Sequence, residues 1–364
     1  MSAPIREGEI LAGKYRVERV LAQGGMGIVV AAIHQQLDQR VALKFMLPKD
    51  APKEADFGRF MREAKAAVRL RSEHVAKVLD VGTAETGSPY IVMEYLDGRD
   101  LDVILQEHGP LPVELAVTYV LQACEAVAEA HALGIVHRDL KPANLFLTRQ
   151  ADETEIVKVL DFGISKQILP DGPLHSNPSL TKTTDVFGSP TYMSPEQLKA
   201  SKDVDARSDV WSLGVILFEL LAGKPPFGGN TVAEIFGAIL HQPAPRLRDQ
   251  RKDAPPELES VILRCLDKDP STRVQNVADL AEALLPFGSD AARDSAARVS
   301  RVLRGPHSRL NPRPSQSGAR ASLPSYDPSE APAVEASTGV DAAKREATGG
   351  DSGGHGGATS TSWA

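Results

Sequence analysis

Apolar and polar positions change their period twice along this chain. Over the first hundred residues the pattern is that of strands. KYRVERVLA (14–22), IVVAAIHQ (28–35) and RVALKFM (40–46) are short runs rich in β-branched residues. HVAKVLDVG (74–82) and SPYIVMEY (88–95) read the same way, while KEADFGRFMREAKAAVRLR (53–71) has helical character. No long crossover helices separate most of these strands, so the region predicts a mainly antiparallel sheet with one helix. From about residue 100 the period becomes helical. Val113, Val117, Val120, Leu121, Cys124, Val127, Ala128 and His131 fall three and four apart, with Pro112 at the first turn and Gly134 just past the end. Further helices are expected over 207–221, 231–241, 257–266 and 277–285; Leu258, Val261, Ile262, Cys265 and Leu266 share one stripe. The pattern predicts an α+β chain in which a small β-rich lobe precedes a larger helical lobe.

The periodicity stops near residue 288. Residues 290–364 are rich in Ser, Ala, Gly, Pro and Arg, arginine-rich first and mildly acidic afterwards. Such a segment buries too little apolar surface to offset its ordering entropy, so 288–364 reads as a disordered tail, with a short amphipathic helix near Val299–Leu303. The expected division is an extension over 1–10, a folded domain over 11–287 with lobes at about 11–94 and 97–287, and that tail.

Charge narrows the function classes. The chain has 364 residues, with 41 Lys+Arg against 48 Asp+Glu, a net charge of −7. That argues against a dedicated nucleic-acid binder, though not against an anionic ligand held by a few local charges. Cys124 and Cys265, each on an apolar stripe, read as core thiols in a reducing compartment. The N-terminus shows no signal pattern, and no apolar run reaches about 18 residues, so no membrane span and a cytoplasmic location are expected.

Candidate chemistry begins at LAQGGMGIVV (21–30). Its glycines let backbone amides approach a phosphate closely. Taken alone, the loop reads first as a hairpin turn. A strand follows it, which disfavours the dinucleotide fingerprint and the P-loop. Counted back from Gly27, G-x-G-x-x-G would want glycine at 22, where Ala22 stands. Lys44, near the end of an apolar strand, can put a point charge on a phosphate, and Glu63 on the next helix can orient it. As isolated residues both are ordinary surface charges. IVHRDLKPANLFL (135–147) is denser: His137, Arg138, Asp139, Lys141 and Asn144 lie between apolar runs. Asp139 can accept a hydroxyl proton, Lys141 can neutralise a transferring group, and Asn144 offers an oxygen to a divalent cation. In VKVLDFGIS (157–165), Asp161 follows an apolar strand and precedes Phe162 and Gly163.

In order and spacing, these motifs resemble those of eukaryotic-type protein kinases, above all the bacterial serine/threonine kinases. They are A-x-G-x-x-G-x-V (22–29), V-A-L-K (41–44), Glu63, H-R-D-L-K-P-A-N (137–144), D-F-G (161–163) and S-P-E (194–196), within roughly 11–287. The resemblance implies a two-lobed kinase fold, with an antiparallel β-rich N-lobe carrying one main helix and a mainly helical C-lobe. It implies ATP and Mg²⁺, or Mn²⁺ in its place. Leu21, Ala22, Gln23, Gly24, Gly25, Met26, Gly27 and Val29 would cover the nucleotide, with Ala42. Lys44, held by Glu63, would contact the α- and β-phosphates. Met93 would border the adenine pocket, and Glu94 to Leu96 would form the hinge that reads the adenine edge. Asp139 would be the catalytic base, Lys141 would steady the γ-phosphoryl group, and Asn144 and Asp161 would bind the metal. Asp209 would hold the catalytic loop, and Glu196 would pair with Arg273.

Lys141 and Ser189 imply serine/threonine specificity. Arg138, directly before Asp139, implies control by phosphorylation of the segment at about 164–193, with Thr181, Thr183 and Thr184 as autophosphorylation sites and a second copy as partner for the reaction in trans. The implied partners are protein substrates and, for the arginine-rich tail, an acidic protein. With neither span nor external sensor, the input is expected from the cytoplasm. The alternative is a pseudokinase, a nucleotide-sensing scaffold with a partner-binding tail. Ala22 costs little if it only begins the turn, and more if positive φ is required there.

Overall fold

The computed structural model describes residues 5–24, 27–45, 58, 61, 64–65, 67–85, 87–150, 152–162, 190–199 and 204–305. Six strands form the first sheet: β1 (Ile10–Leu11), β2 (Tyr15–Gly24), β3 (Gly27–His34), β4 (Gln39–Phe45), β5 (Val78–Thr83) and β6 (Pro89–Glu94). Their order is β1-β2-β3-β4-β6-β5, antiparallel throughout. Alternation drives it: Val17, Val30, Leu43, Tyr90 and Val92 turn to one face and make a single apolar cluster. Of the helix expected over 53–71, the described residues 58, 61, 64–65 and 67 are helical.

Beyond the hinge, β7 (Gly98–Asp100) leads into α1 (Leu101–His108), whose first turn is capped by the Asp100 carboxylate on the Val103 amide at 3.0 Å. The long helix α2 (Val113–Ala132) then crosses the centre of the helical lobe. Strands β8 (Leu145–Arg149) and β9 (Glu155–Val159) join β7 in a small antiparallel sheet. Gly98 is required there, because at φ +152° an added Cβ would lie 2.0 Å from the Leu147 carbonyl oxygen. The remaining helices are α3 (Pro195–Leu198), α4 (Arg207–Ala222), α5 (Val232–His241), α6 (Pro256–Cys265) and α7 (Val277–Leu284). α4 is buried along nearly its whole length and packs against α2 and α6. Cys124 and Cys265 are free, buried thiols whose pKa values burial pushes up, that of Cys265 to about 12. Among the described residues, no helix is long and apolar enough to cross a membrane.

One boundary needs correction. The sequence reading closed the folded domain at 287 and began a disordered tail at 288. The chain instead continues into α8 (Asp290–Arg304), which packs along α2 with Ala292, Ser295, Ala296 and Val299 buried. Apart from Val299 the stripe is built of alanine and serine, so it carries little hydrophobic signal, yet small residues let two helices approach closely. An added Cβ on Gly288 would fall 2.5 Å from Ala292 and 3.3 Å from Val117. The short helix expected near Val299–Leu303 is the end of α8. Residues 306–364, which include most of the expected tail, lie outside the described residues.

Candidate active site

Between the two lobes lies a cavity of about 470 Å³. Leu21, Ala22, Val29 and Ala42 line it from the strands β2 to β4, and Met93, Glu94 and Leu96 from the hinge. Gln23, Gly24 and Gly27 stand at the paired ends of β2 and β3, while Gly25 and Met26 lie outside the described residues. Ala22 sits inside β2 opposite Val29, next to a register shift, and it is not among the residues of positive φ. An alanine pays no conformational penalty in that extended backbone. For the ATP that the resemblance implies, Ala22→Gly should therefore leave the Michaelis constant within about twofold of the parent; a marked fall, measured in steady state, would mean the natural loop is compromised.

At the inner end of the cavity, Lys44 Nζ lies 2.7 Å from Asp161 Oδ1. Register explains half of the pair: Lys44 is buried and faces Val29 on one side and Ile91 on the other. A turn explains the rest: Asp161 has φ +47°, which swings its carboxylate off the line of β9. Burial works to raise the pKa of Asp161, but the charge and hydrogen bond of Lys44 outweigh it and hold the carboxyl below its ordinary range. Glu63 and Gly163 lie outside the described residues, as do Thr181, Thr183, Thr184 and Ser189.

The loop 137–144 supplies the second group of charges. Lys141 Nζ lies 3.5 Å from Asp139 Oδ2. The Asn144 side-chain amide donates to the Asp139 carbonyl at 2.7 Å and to Asp139 Oδ2 at 3.4 Å. This commits the amide nitrogen and leaves Oδ1 as the acceptor end. Asn144, Asp161 and Phe162 all line the cavity.

The loop is held from below by Asp209, fully buried at the start of α4. Its carboxylate accepts the backbone N–H of His137 at 2.8 Å and of Arg138 at 2.9 Å, and meets His131 Nε2 at 2.7 Å. Burial would raise its pKa, yet the His131 hydrogen bond and charge keep it low. Arg138 is in the left-handed region at φ +66°, a strained conformation for a side chain of that size. It is pinned on both sides, since its carbonyl accepts from Gln197 Nε2 at 3.0 Å. His137 is buried, and burial lowers its pKa. Its Nδ1 accepts the Asp139 N–H at 3.2 Å, so Nε2 carries the proton donated to the Leu160 carbonyl at 3.1 Å. Its ring also packs on Phe162, with centroids 4.8 Å apart. His137 thus joins the two chain segments that carry Asp139 and Asp161. Below α3, Arg273 grips Glu196 with two bonds of 2.7 and 3.0 Å.

Several lining residues were not singled out from the sequence. They include Phe146, Val159, Leu160, Ala76 and Asp100. Phe146 lies on β8, which begins directly after Asn144. Arg19 also lines the mouth, and its guanidinium donates to the Tyr95 hydroxyl at 3.0 Å.

Comparison with known proteins places these groups in context. The family described as Protein kinase domain matches residues 15–284. Serine/threonine-protein kinase pkn3 of Myxococcus xanthus is 40% identical over 298 residues, 80% of this chain and 53% of that protein. Serine/threonine-protein kinase PknB of Mycolicibacterium smegmatis is 38% identical over 289 residues, 78% of this chain and 44% of its own length. The chain thus spans about half the length of these curated relatives. The crystal structure of the PknI kinase domain of Mycobacterium tuberculosis superimposes with a TM-score of 0.60 at 29% identity, covering 78% of this chain and 99% of that one.

Proposed function

The chain belongs to the protein kinase family, and from that premise we propose that it transfers the γ-phosphoryl group of ATP to serine and threonine hydroxyls of proteins. The observation that carries this reading is the meeting, at one end of the interlobe cavity, of the Lys44–Asp161 pair with Asp139, Lys141 and Asn144. The named relatives are serine/threonine-protein kinases, which supports the choice of hydroxyl.

The residues fit the metal this chemistry needs. The Asp161 carboxylate and Asn144 Oδ1 are hard oxygen donors. Among the described residues no group of three or more His, Cys, Asp or Glu could hold an ion unaided. Two protein oxygens completed by phosphates and water are what Mg²⁺ prefers. When bound, Mg²⁺ neutralises charge on the β- and γ-phosphates. The protein's own part is positioning and electrostatics. Lys44 offers its ammonium to the phosphates, and the hinge backbone at 94–96 binds the base. Asp139 orients the attacking hydroxyl and takes its proton, while Lys141 meets the charge on the transferring group. Neutral His137 keeps the segments of Asp139 and Asp161 in register.

Activation belongs to the same reading. Arg138 Nε is buried with no hydrogen-bond partner among the described residues. A guanidinium so placed can receive a phosphothreonine from 181, 183 or 184, formed by a second copy of the chain. Incubation with γ-labelled ATP, Mg²⁺ and a basic acceptor protein should label serine and threonine on the acceptor and at least one of Thr181, Thr183 and Thr184. Nucleotide binding without any transfer would leave the sensing scaffold as the answer. An active enzyme with no phosphate at 181–184 would remove the activation mechanism.

A further inference from the structure

Helix α2 is buried almost throughout, yet Gln122, Glu125 and Glu129 follow one another along it at spacings of three and four. Gln122 and Glu129 serve the backbone of neighbouring segments, and Glu125 meets the side chains of two others. Gln122 Oε1 accepts the Val157 N–H at 2.7 Å. The Glu129 carboxylate accepts the N–H groups of Arg71 and Ser72 at 2.8 and 2.7 Å. Glu125 Oε1 lies 3.3 Å from His74 Nε2, and the other ring nitrogen of His74 donates to the Val157 carbonyl at 2.8 Å.

The partner on the far side of Glu125 comes from α8. Arg298 donates to Glu125 through Nε and, at 3.0 Å, through its terminal nitrogen. Burial pushes the Glu125 pKa up, but hydrogen bonds from His74, Arg298 and Ser295 hold it down at about 2. His74 in turn lies in a short parallel ladder with β9. The Val159 N–H donates to the His74 carbonyl at 2.8 Å, and the Ala76 N–H donates to the Val159 carbonyl at 3.1 Å. Asp161 follows two residues after Val159. Arg298, Glu125, His74 and β9 therefore form one unbroken series of polar contacts ending beside the metal-binding carboxylate.

We infer that Arg298 is a positioning residue for phosphoryl transfer: through Glu125 and His74, helix α8 holds β9, and with it Asp161, in place. The electrostatics require a response when Arg298 is removed. A buried carboxylate that loses a guanidinium must turn toward water or take a proton. Either change weakens its hold on His74, and so slackens the ladder at 74–76 and 157–159. The Arg298 side chain is 44% exposed, so truncating it opens no core cavity and the chain still folds. Arg304 is an internal control on the same helix, since among the described residues it pairs with Asp279 and Glu282 and not with Glu125.

The inference rests on the kinase reading for its activity measurement alone. The experiment compares the full chain with Arg298→Ala, Arg298→Lys and Arg304→Ala. It reads kcat, KM for ATP, and amide exchange at 74–76 and 157–159. Arg298→Ala should lower kcat by about tenfold, the low end of what lost outer support costs an active site, with a smaller change in KM. The amides at 157–159 should exchange faster, Arg298→Lys should restore most of both losses, and Arg304→Ala should move neither. Equal effects of Arg298→Ala and Arg304→Ala, or a lower melting temperature with kcat and the 157–159 amides unchanged, would overturn it. If the parent chain transfers no phosphate, the kinase reading fails, and the exchange data alone still decide whether α8 holds β9.

Discussion

Asp139→Asn should lower kcat by roughly 10²–10⁴-fold, with KM for ATP and the melting temperature close to those of the parent. The size follows from what the substitution removes. Asparagine has the shape of aspartate but neither its charge nor its capacity to take a proton. The backbone around it is fixed by groups the change does not touch. The Asp139 N–H is held by His137 Nδ1, and its carbonyl by the Asn144 side chain. The two preceding amides are held by Asp209. The interlobe cavity is lined by other residues, so on the proposed reading ATP should bind as before. Asp161→Asn would behave differently, because it also breaks the 2.7 Å pair with Lys44 and would raise KM. Steady-state kinetics with titrated ATP, alongside thermal melting, separate the two variants. An Asp139→Asn enzyme with more than about a tenth of parental kcat would remove Asp139 from the proton-transfer role.

The positions of these residues were legible in the sequence to different depths. The loop 137–144 was legible because so many functional side chains between two apolar runs have few purposes but chemistry. Lys44 and Asp161 were legible as separate candidates; only register and a positive φ bring them to 2.7 Å. The strands of the first sheet were legible from alternation, since one face packs inward and the other does not. What escaped has a common cause: hydrophobic periodicity reports only apolar burial. The short helix Leu101–His108 buries just Leu101 and Leu105 fully, so its stripe is thin. Helix α8 buries alanine and serine, which look like a low-complexity tail. Gln122, Glu125 and Glu129 carry no apolar signal, and their partners at 157, at 74 and 298, and at 71–72 lie far away in sequence. Ala22 was left open by the sequence, because its cost depends on φ; the extended backbone there is the low-cost alternative.

Arg273→Ala should destabilise the helical lobe by about 3–5 kcal/mol, the usual cost of orphaning one member of a buried ion pair. Its side chain is wholly buried and every donor group is engaged. Two bonds go to Glu196, one nitrogen also reaches the Arg207 carbonyl at 2.8 Å, and Nε reaches the Asp267 carbonyl at 3.0 Å. The guanidinium also lies 5.2 Å from the centre of the Trp211 ring. Burial works to raise the pKa of Glu196, and Arg273 with Ser208 keeps it low. Alanine would leave that carboxylate without its charged partner and deprive the Arg207 and Asp267 carbonyls of the guanidinium donors. For a domain of this size the loss corresponds to a fall in melting temperature of roughly 5–8 °C. Arg273→Met combined with Glu196→Gln should recover part of it, because the double change removes the charge as well as its partner. The damage should also reach activity. Glu196 is followed by Gln197, whose side chain holds the strained carbonyl of Arg138 directly before Asp139. If Arg273→Ala melts within about 2 °C of the parent, the pair contributes no more than an exposed one, and the support it lends the catalytic loop must come from Asp209 alone.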